Sequence, residues 1–104
     1  MGEKHKYDLE DRTREFAQKV RSFIRKVPKT LTNIEECRQL AKASGSVGAN
    51  YFEANESISR KDFEYRIKVC RKEVKESRYF LSLIDVQNDD DLLHENHLLQ
   101  TEST

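Results

Sequence analysis

Between Phe63 and Ile84, apolar and small side chains return in alternating steps of four and three: Phe63, Ile67, Cys70, Val74, Ser77, Leu81 and Ile84. This heptad-like seam predicts a helix from Arg60 to about Ile84, with Ser59 as its cap, and one helix cannot bury such a seam alone. The chain has 104 residues but one proline and three glycines. A β-sandwich needs a turn signal every 8–12 residues or so, so the composition points to helices. The length fits a single domain that buries somewhat under about 70% of its unfolded surface. No run approaches the roughly 18 apolar residues a membrane span needs.

The other helices follow from periodicity and capping. Leu9, Phe16, Val20, Phe23 and Val27 share one face of a first helix, expected from about Leu9 to Lys26. Asp8 is its expected cap, Glu10 and Asp11 suit its positive end, and Pro28 stops it. Residues 1–7 are expected to be flexible. Thr32-Asn33-Ile34-Glu35 reads as a capping box for a second helix from Asn33 to about Ser57. Its inward face would hold Ile34, Cys37, Leu40, Ala41, Ser44, Val47, Gly48, Tyr51 and Ala54. Gly45 and Gly48 each cost roughly 1 kcal/mol of helix propensity against alanine, which suggests close packing there. A break near Gly45 is the alternative. Asp89-Asp90-Asp91 starts a short fourth helix, about Asp90 to Gln100, with 101–104 expected to fray. Short connections make sequential helices antiparallel neighbours, hence an all-α, up-and-down antiparallel four-helix bundle with a short or frayed fourth helix.

The nineteen basic and nineteen acidic residues cancel overall, but unevenly along the chain. Residues 1–84 sum to +6 and residues 85–104, an acidic tail, to −6. That asymmetry is a reason to consider an anionic partner. At roughly 100° per residue, Arg60, Lys61, Lys68, Arg71, Lys72, Lys75 and Arg78 fall on one flank of the third helix, interrupted by Glu64. Cations spaced in this way neutralise successive phosphates, and Tyr79 at the edge of the flank is placed to stack on a base. A solvated helix face is the competing explanation. Tyr65, Val69, Phe80 and Leu83 fall on the opposite flank with Glu73 and Glu76, as expected for a contact with a neighbouring subunit or for a helix central in its own bundle.

Catalytic signatures are scarce. His94 and His97 stand three apart, whereas the metalloprotease motif needs histidines four apart. Asp91 and His94 with Glu53, Glu73 and Glu76 make a poor match to a dimetal carboxylate bundle. Cys37 and Cys70 lie on inward faces with no CxxC pairing, and buried cysteine acts as a small hydrophobe. Asn50 and Glu53 share a polar face of the second helix with Ser46 and Ser57, suited to a polar layer that fixes register or assembly, or to a partner site. No enzymatic activity, metal or cofactor is expected. The N-terminal residues lack an apolar secretory segment, and Lys6 stands where myristoylation wants Ser or Thr, so a cytoplasmic protein with reduced thiols is expected.

Two stretches carry a resemblance: RQLAKASGSVGANYFEANE from Arg38 to Glu56, and SRKDFEYRIKVCRKEVKESRYFLSLI from Ser59 to Ile84. The string from Ala43 to Asn50, then Glu53-Ala54, Asp62-Phe63, Glu73 and Glu76-Ser77-Arg78-Tyr79, is similar to the bacterial four-helix bundle family named for the 23S ribosomal RNA intervening sequence. The resemblance covers roughly residues 7–84. It implies an up-and-down bundle assembled as a homopentameric ring, with a poorly defined biochemical role. A similar fold occurs in nucleic-acid-binding accessory proteins of diversity-generating retroelements, a fold-level analogy. Family members usually carry a longer, more apolar last helix than this chain has after Ile84. Together these readings predict a non-enzymatic, homo-oligomeric module that associates with RNA or other nucleic acid, or alternatively a structural scaffold for a protein partner.

Overall fold

A computed structural model describes residues 2–103, with side chains from Leu9 onward. Four helices run in order: α1 (Gly2–Lys26), α2 (Leu31–Asn55), α3 (Arg60–Leu83) and α4 (Asp90–Glu102). Both α1 and α4 pack against α3 or its neighbour in a ring of contacts: α2 touches α1 and α3, and α4 touches the same two. Thus α1 and α3 stand diagonally opposite, as do α2 and α4. This is the expected four-helix bundle.

α1 begins at Gly2 rather than Leu9, so Asp8 lies inside the helix instead of capping it. No proline precedes Leu9, and Glu3, Lys4 and Lys6 are good helix formers. The far end stops before Pro28 as expected. There the Lys29 ammonium donates to the carbonyls of Ile24, Arg25 and Val27 at 3.3, 3.4 and 2.9 Å, satisfying carbonyls that the ended helix leaves open.

α2 is capped by Thr30, not Thr32: the Asn33 backbone N–H donates to Thr30 Oγ1 at 3.2 Å. Both threonines have a polar residue three positions on, so spacing alone does not separate them. The tertiary contact does. With Thr30 as cap, Asn33 is buried, and its amide nitrogen donates to the carbonyls of Pro28 and Asp85 at 3.1 and 2.8 Å. Asn33 Oδ1 accepts from the Asp85 backbone N–H at 3.0 Å. Ile34, expected inside, is 53% exposed. Glu35, released from the capping box, pairs with Arg38 Nη2 at 2.6 Å, and that bond holds its carboxyl below the usual range.

α2 is continuous through Gly45 and Gly48 and ends at Asn55, two residues short of the expectation. A Cβ on Gly48 would stand 3.2 Å from Thr13 Oγ1 of α1, which is the close helix approach the glycines suggested. α3 matches its expected start, with Ser59 Oγ accepting from the Asp62 N–H at 3.1 Å. α4 is capped by Asp89 and runs two residues past the expected Gln100. Its end does not fray as expected. Ser103 is buried and its hydroxyl donates to the Leu99 carbonyl at 2.8 Å; Thr104 lies outside the described residues.

The main core draws Phe16, Val20 and Phe23 from α1, Val27 from just beyond its end, Cys37 and Leu40 from α2, Leu81 from α3, and Leu92 and Leu99 from α4. Ile84 and Val86 close it at the α3–α4 corner. Asn96 crosses the same layer, donating to the Leu81 carbonyl at 3.0 Å and accepting from Gln100 at 2.7 Å. No helix is long and apolar enough to cross a membrane among the described residues.

Candidate nucleic-acid interface on the third helix

The basic flank forms because α3 uses its seam against α2 and α4, which turns the sector beginning one step beyond Ile67 and Val74 toward solvent. Arg60, Lys61, Lys68, Arg71, Lys72, Lys75 and Arg78 are all exposed. At 1.5 Å rise per residue they extend over roughly 27 Å of helix. Arg60 Nε meets Glu64 Oε1 at 3.3 Å, an exposed pair of little energetic weight. Among the described residues, none of the other six forms an ion pair.

The acidic tail does not lie across this flank. Glu95 Oε1 receives Lys26 Nζ at 2.7 Å and Glu102 Oε1 receives Lys19 Nζ at 2.9 Å. Both partners belong to α1. The contact with Glu102 also raises the Lys19 pKa above its ordinary value. The tail thus folds back on the basic body, but on its other side. Tyr79, at the edge of the flank, is 59% exposed. Its ring and that of Phe80 meet in an edge-to-face arrangement with centroids 5.4 Å apart.

The opposite flank is more buried than its sector suggests. Phe80 packs against the core and Val69 is half-buried, while Tyr65 and Leu83 remain exposed. Glu73 and Glu76 are half-buried there. Burial, then the neighbouring Glu76, pushes the Glu73 carboxyl above the usual range, and Lys72 and Lys42 partly offset this.

Asn50 sits between α2 and α3. Its amide donates to the Ser46 carbonyl at 2.9 Å, and its Oδ1 accepts from Arg66 Nη1 at 3.0 Å. Arg66, absent from the predicted flank, is the basic residue that α3 turns toward α2; its guanidinium also lies 5.7 Å from the Tyr65 ring centroid. The helical angle of Arg66, near the seam rather than the cations, was the sequence signal for this role. Glu53 is exposed, and its backbone carbonyl accepts from Ser57 Oγ at 3.1 Å. The structure therefore brings Asn50 to an interhelical contact and leaves Glu53 at the surface.

Cys37 is buried and Cys70 half-buried; both are free thiols, and burial pushes both pKa values up. Cys70 Sγ donates to the Val47 carbonyl at 3.4 Å. A raised pKa disfavours the thiolate a nucleophile needs. His94 and His97 are exposed on α4. Among the described residues, no three His, Cys, Asp or Glu side chains cluster closely enough to hold a metal ion.

These features define a small all-α bundle with a cationic flank on one helix and a short closing helix. The family model of the 23S rRNA-intervening sequence proteins matches residues 5–102, and the chain belongs to that family. No curated protein and no solved structure matches it.

Proposed function

We propose that this bundle is a nucleic-acid-associated binding module that contacts RNA phosphates through α3 without reading sequence. The observation that carries the reading is the run of six exposed cations on one flank of α3 that form no ion pair among the described residues, Lys61 to Arg78. Phosphate contacts of this kind position a nucleic acid but carry no base information. Tyr79 adds a sequence-tolerant stacking surface.

The module works as a homo-oligomer, a pentamer in the reading that family membership supports. The exposed Tyr65 and Leu83 on α3 and Ile34 on α2 supply apolar surface for that contact. A ring would repeat the cationic flank and add weak contacts through multivalency. The setting is the cytoplasm, and no chemistry is performed on the RNA. A structural scaffold for a protein partner is the second reading, favoured by the same exposed apolar side chains.

The test is a salt-titrated binding assay with single-stranded RNA, run beside light scattering. Salt-sensitive binding by an oligomer supports the proposal. Micromolar protein with no shift at low salt overturns the RNA reading, and the 12.3 kDa monomer mass at working concentration overturns the oligomer.

A further inference from the structure

Seven residues close two helical turns to within about 20°, so side chains seven apart form rows along a helix. On α3 two such rows run side by side over the solvent face. One is Lys61, Lys68 and Lys75; the other is Tyr65, Lys72 and Tyr79. All six side chains are exposed, both tyrosines at 59%. Tyr65 thus parts from the flank its angle first suggested. Val69 and Phe80 are half-buried there, whereas Tyr65 stays outside, in line with Lys72 and Tyr79.

Neighbours across the two rows are three or four residues apart in sequence, which sets their Cβ atoms roughly 5–6 Å apart. Tyr65 lies between Lys61 and Lys68, and Tyr79 lies one turn beyond Lys75. Each ring therefore stands beside an ammonium that forms no ion pair among the described residues. The rings are 14 residues apart, roughly 21 Å along the axis. Both are braced from within the chain. The Arg66 guanidinium, held by Asn50 Oδ1 at 3.0 Å, lies 5.7 Å from the Tyr65 ring centroid, and the Phe80 ring lies 5.4 Å from that of Tyr79. Rings already held lose less freedom when a ligand packs on them. Two carboxylates border the rows: Glu64 is engaged by Arg60, and Glu76 is half-buried beyond the tyrosine row.

We propose that α3 selects single-stranded RNA over duplex: unpaired bases stack on Tyr65 and Tyr79 while the phosphates between them lie along the lysine row. One nucleotide sets its phosphate on a lysine and its base on the tyrosine beside it. A duplex offers neither ring a base face, because its bases are paired and stacked within the helix. Cations alone would favour the duplex, whose phosphates are more densely spaced. The choice of strand therefore belongs to the two tyrosines, and their stacking tolerates any base. This inference rests on the RNA reading of the same helix and narrows its ligand to strands with unpaired bases.

The test uses the full chain, a labelled single-stranded RNA of about twelve nucleotides and the same strand annealed to its complement. At low salt the parent should bind the single strand at least about fivefold more tightly than the duplex. Y65A/Y79A, with both changes at exposed positions, should weaken single-strand binding by at least about tenfold, change duplex binding by less than about twofold and leave the salt slope as it was. Y65F/Y79F keeps both rings and should bind like the parent. Tighter binding of the duplex by the parent, or single-strand binding that Y65A/Y79A leaves unchanged, overturns the strand selection while phosphate contact by α3 still stands. No binding of either RNA overturns both. Light scattering on the same samples tests the other use of Tyr65. An oligomer that Y65A/Y79A converts to monomer, with single-strand and duplex affinities falling together, overturns the inference in favour of a subunit contact.

Discussion

Asn33 joins three parts of the chain through one buried amide: the end of the α1–α2 link, the first turn of α2 and the α3–α4 corner. Removing it strands the Pro28 and Asp85 backbone groups. Each buried group left without a partner costs about 1–3 kcal/mol, so Asn33→Ala should lose roughly 3 kcal/mol in chemical denaturation. Asn33→Asp keeps the shape but replaces the donor with a charge facing two carbonyls, and should be no better. Glu73 gives a prediction with the opposite sign. Its carboxyl is pushed up by burial and by Glu76, so the folded chain holds that proton more tightly than the unfolded chain does. Stability therefore falls as pH rises from the unfolded Glu73 pKa through its folded value, and the whole loss is present above that. Glu73→Gln should be more stable than the parent at neutral pH and indistinguishable at low pH, in thermal melts across that range. The sequence marked Asn33 only as part of a cap, and Glu73 as one of a flank, a poor metal match and a family-signature residue. Neither role was legible: Asn33 depends on Asp85, far away in the chain, and Glu73 on a burial that only the packed bundle supplies.

Helix existence and order, by contrast, were readable from local pattern. The α3 seam, the Ser59 and Asp89 caps and the stop before Pro28 depend on residues within a few positions of one another. Among the misplaced features, tertiary contacts decide Thr30 over Thr32, the outward Ile34 and the ordered end of α4, whereas the start of α1 at Gly2 follows local helix propensity. The glycines of α2 separate two effects. A Cβ at Gly45 would meet only the far end of the Arg21 side chain, at 3.2 Å, which can swing aside. Gly45→Ala should therefore gain up to about 1 kcal/mol of helix propensity. At Gly48 the obstacle is Thr13, short and close to its backbone, so Gly48→Ala should recover less or lose stability as α1 and α2 part. Paired thermal melts check both. α4 is acidic yet structural. Leu92→Ala or Leu99→Ala should each cost about 2–5 kcal/mol. Deleting 89–104 should abolish cooperative unfolding rather than merely unmask the cations of α3.

For the whole molecule, the zero net charge conceals two surfaces. The −6 of the tail is spent partly on Lys19 and Lys26 of α1, so it leaves the α3 flank facing solvent. Charge bookkeeping along the chain exposed the asymmetry, but only the placement of α4 says which basic face it covers. Family membership and the helix packing agree on the fold, and the cationic flank is what carries the binding proposal. The most direct test measures single-stranded RNA affinity against salt for the parent and for a variant with Lys68, Arg71, Lys72 and Lys75 changed to glutamine. With four to six phosphates neutralised, the parent should show log K falling with log salt at a slope of about −3 to −4, and the variant a slope near about −1 with binding weakened across all RNA sequences. Identical slopes and affinities for the two proteins would contradict the assignment of RNA contact to the third helix.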